Sequence, residues 1–89
     1  MRDKMEKTLS KDAKGNIHFG INAPDGFKPC ENADAKKSLA KLGKRKLWRC
    51  NVCNDMHLGA DFPDPCPTCL TPRSYVEISL KEFTGVIGL

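Results

Sequence analysis

The sequence has no long apolar run, and aromatic residues make up only 7% of its 89 positions. The charged segment Met1–Lys7 is not followed by an apolar stretch, so we expect no signal peptide, no transmembrane segment and no membrane partner. The chain also lacks a phosphate-cradling glycine loop and a serine or cysteine triad. These absences predict a cytoplasmic protein that is not an enzyme by itself.

Cysteine is the informative residue type, because four of the five cysteines form two CxxC pairs. Cys50–Cys53 and Cys66–Cys69 are separated by twelve residues. A CxxC pair folds into a tight turn that aims both sulfurs at one point, so two such turns can supply a tetrahedral set of ligands. Thiolates favour zinc or iron over magnesium or calcium. Two disulfides are the alternative, and we favour a metal because nothing in the sequence indicates secretion.

A chain of this length buries too little apolar surface to be stable comfortably on a core alone. A structural metal contributes on the order of 10 to 16 kcal/mol of apparent folding free energy, against a net stability of about 5 to 15 kcal/mol for a typical domain. The sequence therefore predicts a small metal-stapled α+β fold whose cysteine half unfolds without its metal.

Charge is divided unevenly along the chain. Residues 1–49 hold thirteen Lys/Arg and six Asp/Glu, whereas residues 50–89 hold two and five. Seven basic residues occur without an acidic one between positions 36 and 49: Lys36, Lys37, Lys41, Lys44, Arg45, Lys46 and Arg49. This segment suits an acidic protein, a nucleic acid or a phosphorylated ligand. A solvated helix face is the simpler interpretation, because Trp48, the one aromatic residue among these charges, lies too close to Cys50 to stack freely on bases.

The residue pattern divides the chain into a basic N-terminal arm over 1–46, a metal-binding domain over 47–82 and a last strand or tail over 83–89. Within the arm we predict a hairpin over 6–21 and a short helix over about 33–42.

Local signals place the remaining elements. Asn32 or Asp34 caps the predicted helix, and Gly43 ends it. In the metal-binding domain we predict one strand over 47–50, another over 75–80, and loops between the two cysteine pairs.

The residues around the cysteines resemble the rubredoxin-like module at the C-terminus of rubrerythrins, over about residues 47–77. The similarity rests on Trp48, His57, Gly59, Pro65, Pro67, Pro72, Tyr75 and Glu77, together with the cysteines. It implies a three-stranded antiparallel sheet with two CxxC knuckles. It also implies one iron ion, cycling between its ferrous and ferric states to pass single electrons, with Cys50, Cys53, Cys66 and Cys69 as its ligands.

The chain departs from the family pattern in two ways. Asn54 and Asp55 stand where Gly-Tyr usually follows the second cysteine. Asparagine tolerates the positive φ that such a turn needs, whereas a charge at position 55 is expected to reduce the shielding of the site from water. The chain also lacks the Glu-x-x-His motif with which rubrerythrins bind two irons, so peroxide reduction is not expected.

Several single residues near the site have simple interpretations. Trp48 and Tyr75 are expected to shield the metal site, with the Tyr75 hydroxyl reaching a partner or solvent. His57 is interpreted as a loop histidine bonded to the backbone and His18 as a surface or half-buried residue. Cys30 is interpreted as a spare buried thiol, and Arg49 as the positive charge nearest the iron.

We therefore predict a one-electron carrier or redox module for a partner oxidoreductase that presents an acidic docking surface to the basic segment. The alternative is a zinc ribbon, in which zinc only holds the fold and the basic segment binds nucleic acid or an acidic protein. Zinc is also expected as a substitute for iron in recombinant protein.

Overall fold

The computed structural model describes residues 7–88, which form an antiparallel sheet and two helices. The elements in chain order are β1 (Thr8–Lys11), β2 (Ile17–Gly20), β3 (Lys28–Pro29), α1 (Asn32–Ala40), β4 (Lys46–Cys50), β5 (Met56–Gly59), β6 (Tyr75–Glu77) and α2 (Leu80–Ile87). The six strands of this region are arranged in the order β3-β1-β2-β5-β4-β6. Neither helix in the described region is long and apolar enough to cross a membrane.

The N-terminal hairpin pairs Thr8–Lys11 with Ile17–Gly20, as the sequence predicts, although residue 6 of the prediction lies outside the described residues. Asp12 organises its turn, because its carboxylate accepts hydrogen bonds from the amides of Lys14 and Asn16, each at 2.9 Å. β2 then pairs with β5. The sheet therefore runs without a break from the predicted arm into the predicted metal-binding domain.

β5-β4-β6 forms the predicted three-stranded antiparallel sheet, and the N-terminal strands extend it to six. The expectation of loops throughout the region between the cysteine pairs is wrong, because Met56–Gly59 is a strand. All four residues of β5 are buried between β2 and β4. A strand buried on both faces lacks the alternation of apolar and polar residues that reveals a half-exposed strand.

Helix α1 spans Asn32–Ala40, close to the predicted range, with Glu31 at its N-cap in place of the predicted Asn32 or Asp34. Asp34 lies one turn later, and its Oδ2 accepts a hydrogen bond from the Glu31 amide at 3.0 Å. Leu39 and Leu42 pack against the main core.

Helix α2 replaces the last strand or tail that the sequence predicts over 83–89, whose final residue lies outside the described region. The hydroxyl of Ser79 accepts a hydrogen bond from the Glu82 amide at 3.2 Å, and Gly88 ends the helix with φ 91°. Phe83 and Ile87, four residues apart, are both buried on one face. The N-cap and C-cap therefore enclose a short amphipathic helix, and β6 ends at Glu77.

The main core is formed by residues from hairpin, sheet and both helices: Leu9, Ile17, Ala35, Leu47, Met56, Leu58, Phe83 and Ile87. A second, smaller cluster consists of Cys50, Cys66 and Tyr75.

The strand registers give the sheet two different ends. Gly20, Met56 and Cys50 lie at one end, which we call the cysteine end. Ile17 and Lys46 lie at the other, beside the hairpin turn, which we call the turn end. The two ends carry different chemistry, because the cysteines occupy the first and several of the basic residues the second.

Candidate metal centre

Two tight turns with the same hydrogen bonds carry the four cysteines. We call residues 50–55 knuckle 1 and residues 66–71 knuckle 2. In each knuckle the first cysteine's carbonyl accepts from the amide four residues later: from Asn54 at 3.0 Å and from Leu70 at 2.8 Å. Asn54 and Leu70 have φ of 66° and 62°. The left-handed conformation predicted for Asn54 is confirmed, and knuckle 2 repeats it at a leucine.

The knuckles bring all four cysteine sulfurs within 4.8 Å of one another. Sγ atoms lie 3.6 Å apart for Cys50 and Cys69, and 3.5 Å apart for Cys53 and Cys66. A tetrahedron with metal–sulfur bonds of about 2.3 Å has edges of about 3.8 Å. All five cysteines are free thiols, so the disulfide alternative does not occur. The cluster is a four-cysteine metal site, and its donor chemistry fits iron or zinc.

Backbone amides surround the sulfurs, because each knuckle turns its own N–H groups inward. The amides of Val52 and Cys53 donate to Cys50, and that of Asp55 donates to Cys53. Knuckle 2 repeats the pattern: the amides of Thr68 and Cys69 donate to Cys66, and that of Thr71 donates to Cys69. These donors stabilise thiolate charge without any movement of the chain.

Three hydroxyl groups add to this shell. The hydroxyl of Ser74 lies 3.2 Å from Cys50 Sγ, and that of Tyr75 lies 3.5 Å from Cys66 Sγ. Burial raises the pKa of Tyr75, so its hydroxyl keeps its proton and donates to the sulfur. The hydroxyl of Thr71 lowers the pKa of Cys69 to about 6. The Tyr75 hydroxyl thus faces a ligand rather than the partner or solvent that the sequence suggested.

The four thiols are not equally easy to ionise. Burial acts to raise the pKa of Cys50, but hydrogen bonds from the Cys53 amide and the Ser74 hydroxyl outweigh it and lower that pKa. Burial raises the pKa of both Cys53 and Cys66. Without a cation, the centre therefore retains protons that metal binding must release.

Aromatic rings cover one side of the cysteine cluster. Phe62 stacks on Tyr75 with ring centroids 5.6 Å apart, and Trp48 meets Phe62 edge-on at 5.2 Å. The indole N–H of Trp48 donates to the Gly59 carbonyl at 3.1 Å. Trp48 and Phe62 both pack against the cluster. Sequence reasoning did not identify Phe62, because it lies between the cysteine pairs in a segment without periodic pattern.

A cluster of buried polar residues lies next to the cysteines. The sequence suggested that its two histidines are a loop residue and a surface or half-buried residue. His18 and His57 are buried, on β2 and β5, and their Nδ1 atoms lie 3.1 Å apart. His57 therefore lies in a strand rather than in a loop, and its ring makes no hydrogen bond to the backbone of residues 7–88. His18 is buried and not at the surface. Burial, with His18 nearby, lowers the pKa of His57 to about 3, which keeps that ring neutral.

Asp55 belongs to the same buried group. Its Oδ2 accepts a hydrogen bond from the Thr68 hydroxyl at 2.5 Å and lies 3.3 Å from His18 Nε2. Burial acts to raise the pKa of Asp55, but the bonds from His18 and Thr68 outweigh it and lower that pKa. The expectation that Asp55 reduces shielding is wrong, because this side chain is fully buried.

Among residues 7–88, two positively charged side chains contact knuckle 1. Arg49, the predicted one, has its Nε 2.8 Å from Glu82 Oε2, in an ion pair whose N–H is poorly aligned, and it donates to Asn54 Oδ1 at 3.3 Å. Lys7 is the second, and its ammonium donates to the carbonyls of Cys53 at 3.0 Å and Asn54 at 2.8 Å. Sequence reasoning missed Lys7 because 46 residues separate it from Cys53.

Most of the predicted docking residues lie away from the cysteines. The exposed ones on α1 and in the loop that follows it are Lys36, Lys37, Lys41 and Lys44. Lys46 lies at the turn end, 3.7 Å from Glu77. Arg45 is committed to the fold, because its guanidinium donates to four backbone carbonyls, those of Gly15, Ser38, Lys41 and Leu42. Arg49 alone among the predicted docking residues is next to a ligand.

Comparison with known proteins gives one family match. Residues 48–77 match the family model described as "Rubrerythrin, rubredoxin-like domain". A protein named "Putative rubrerythrin" from Methanocaldococcus jannaschii is 39% identical over 46 residues, which are 52% of this chain and 22% of that protein. A "Rubrerythrin" from Clostridium perfringens is 38% identical over 37 residues, which are 42% of this chain and 19% of that protein. No solved structure matches the chain.

The matched region is short relative to this chain and to the curated relatives. The chain spans about a fifth of the length of these curated relatives. The family match begins at Trp48 and ends at Glu77, so it contains both knuckles, β5 and β6 but neither the hairpin nor either helix.

Proposed function

We propose that the rubredoxin-like module of residues 48–77 holds one iron ion through Cys50, Cys53, Cys66 and Cys69 and carries single electrons for a partner oxidoreductase. The four sulfurs gathered within 4.8 Å, in a region that matches this module, support the proposal. Bound iron supplies a one-electron ferrous–ferric couple. The chain supplies ligands, hydrogen-bond donors and a dry surrounding, and we propose no catalytic step of its own.

The ligand sulfurs differ in exposure, and this difference indicates where electrons pass. Cys50 and Cys66 are fully buried, whereas Cys53 and Cys69 are partly exposed. Val52 and Leu70, next to the exposed pair, are 60% and 69% exposed. Large apolar side chains at such exposure suit transient contact with another protein. We call Val52, Cys53, Cys69 and Leu70 the exchange edge, through which the electron enters and leaves.

The shell around the sulfurs suits a centre that changes charge by one unit. Its amide and hydroxyl donors are already aimed at the ligands, so reduction requires little rearrangement. Trp48 and Phe62 pack against the cluster of Cys50, Cys66 and Tyr75 and exclude water from these buried ligands. The exchange edge is therefore the open side of an otherwise enclosed ligand cluster.

The basic residues serve a different purpose in this proposal. Lys46 and Cys50 stand at opposite ends of β4, about 13 Å apart for four residues at about 3.3 Å each. A partner docked only on the lysines of the turn end would sit far from the exchange edge. We propose that these lysines hold or steer an acidic redox partner while the exchange edge makes the close contact.

Metal content and colour test the proposal directly. We expect protein produced anaerobically with abundant iron to contain one iron per chain and to show thiolate-to-iron absorption bands that bleach on reduction and return on oxidation. Metal analysis and visible spectra before and after dithionite measure this. A colourless protein holding one zinc would contradict the proposal and favour the zinc-ribbon alternative, in which zinc has no redox chemistry.

The exchange edge can be tested without knowing the partner. In iron-loaded protein we expect Leu70→Glu to slow electron self-exchange about tenfold, because a charge would be desolvated at the contact. Line broadening in mixtures of oxidised and reduced protein measures the rate. Val76→Glu is the matched control, since Val76 is also exposed but lies on the edge strand β6. Equal rates in both variants would contradict this location.

The exposed lysines of α1 and of the loop that follows it allow the alternative class of partner, nucleic acid, to be tested. If Lys36, Lys37, Lys41 and Lys44 bound nucleic acid, its affinity would fall steeply with salt concentration.

We also propose a reducing, cytoplasmic setting, because the structure contains the spare free thiol of Cys30.

A further inference from the structure

The N-terminal hairpin and the residues next to it contact both knuckles, although none of them belongs to the region that matches the family. Lys7 donates two hydrogen bonds to carbonyls of knuckle 1. The Asn22 amide donates to the hydroxyl of Thr68, in knuckle 2, at 3.1 Å. Both contacts join parts of the chain that lie 46 residues apart. Residues next to the two strands of the hairpin therefore hydrogen-bond to both halves of the metal centre.

Between these contacts lies a buried bridge from the hairpin to both knuckles. Asp55, the last residue of knuckle 1, accepts the Thr68 hydroxyl of knuckle 2 on its Oδ2. The same oxygen lies 3.3 Å from His18 Nε2, on β2, and 3.8 Å from Cys66 Sγ. One carboxylate oxygen thus contacts the hairpin, the hydroxyl of knuckle 2 and the sulfur of the ligand Cys66.

The hairpin provides a fitted place for this carboxylate. A Cβ at Gly20 would overlap the Asp55 carboxylate, so only glycine leaves the necessary room on β2. Asp55 and His18 are both fully buried, and Oδ1 of Asp55 has no hydrogen-bond partner within residues 7–88. The buried carboxylate therefore depends on the contacts of its other oxygen, which makes the loss of any one of them costly.

We propose that the N-terminal hairpin is a clamp that completes the metal centre and controls how fast the metal leaves it, with His18, Asp55 and Thr68 as its central contacts. A metal held by two pairs of cysteines is released when the two knuckles separate. The Asp55–Thr68 hydrogen bond joins the knuckles directly, and His18 and the Asn22 amide hold its two ends. The clamp acts on iron and zinc alike, so it does not depend on the electron-carrier proposal.

Transfer of a spectroscopically visible metal to a chelator tests the clamp in the full chain. Cobalt(II) is the probe, because its thiolate charge-transfer band reports both occupancy and tetrahedral geometry. We expect Thr68→Val to lose cobalt to excess EDTA about tenfold faster than the unmodified chain, because a buried hydrogen bond between the knuckles is lost. We expect Thr68→Ser, which keeps the hydroxyl, to restore slow release.

Two further variants distinguish the loss of the clamp contacts from a general loss of folding stability. Ile17→Val removes one methyl group from a fully buried hairpin residue that makes no clamp contact, and we expect it to release cobalt at the unmodified rate. His18→Gln keeps polar atoms in the side chain but loses the ring, and we expect it to behave like Thr68→Val while showing the same initial cobalt band. Unchanged release in both Thr68→Val and His18→Gln would overturn the proposal. Equally fast release in Ile17→Val would also overturn it.

Discussion

Removing the metal is expected to unfold both knuckles and β6 while part of the hairpin–helix core keeps its structure. The second core cluster consists of two ligands and Tyr75, so it has no apolar interior once the sulfurs lose their common centre. The main core contains no cysteine ligand. A metal held by four cysteines contributes on the order of 10 to 16 kcal/mol of apparent folding free energy. The remaining contacts of the cysteine cluster could not supply this free energy without the metal.

Hydrogen exchange before and after chelation measures this loss. The amides of Asn54 and Leu70, which close the two knuckles, are expected to lose protection completely. Amides of β1 and β2 that pair with each other are expected to keep part of theirs. Cys66→Ser is expected to reproduce the metal-free pattern, and Cys30→Ser, which changes a thiol outside the cluster, is the matched control. Knuckle amides that stay protected without metal would contradict the prediction.

Much of the metal centre could be predicted from local sequence because its determinants are local. Each CxxC pair fixes its own knuckle within six residues, and the positive φ of Asn54 follows from the residue type at that position. The hairpin and α1 were also predictable, since turn residues and an acidic first turn mark them. These features depend on contacts between neighbours in the chain.

The clamp could not be predicted in this way because it depends on strand register. His18 meets Asp55 and His57 only because β2 pairs with β5, and the two histidines are 39 residues apart. β5 itself was missed, and without it nothing in the sequence connects the hairpin to the metal centre. The contacts of Lys7 and Arg45 could not be predicted for the same reason, since their acceptors are backbone carbonyls that no sequence pattern identifies.

Helix α2 shows a different limit of sequence reasoning. Its eight residues include a glycine and a β-branched valine, so propensity alone does not favour a helix. Burial of Phe83 and Ile87 against the core decides the conformation, and tertiary packing accounts for most of the stability of so short a helix. The contribution of this packing can be measured.

Phe83→Ala is expected to destabilise the metal-loaded protein by about 3 to 5 kcal/mol, because it removes a fully buried aromatic side chain and leaves a cavity. Urea denaturation with bound cobalt measures the change through both circular dichroism and the thiolate band. Val86→Ala, in the same helix but 47% exposed, is the control and is expected to change stability by less than about 1 kcal/mol.

Circular dichroism and the cobalt–thiolate band together also test whether the metal centre stays folded when the main core unfolds. Phe83 and Leu47 share one core, and β4 continues from Leu47 to Cys50. If core and centre unfold as one unit, the circular dichroism and cobalt transitions of Phe83→Ala shift together to lower urea. A shift in circular dichroism alone would mean that the knuckles and their metal remain folded after the main core is lost. Such a result would contradict cooperative unfolding of the main core and the metal-loaded centre.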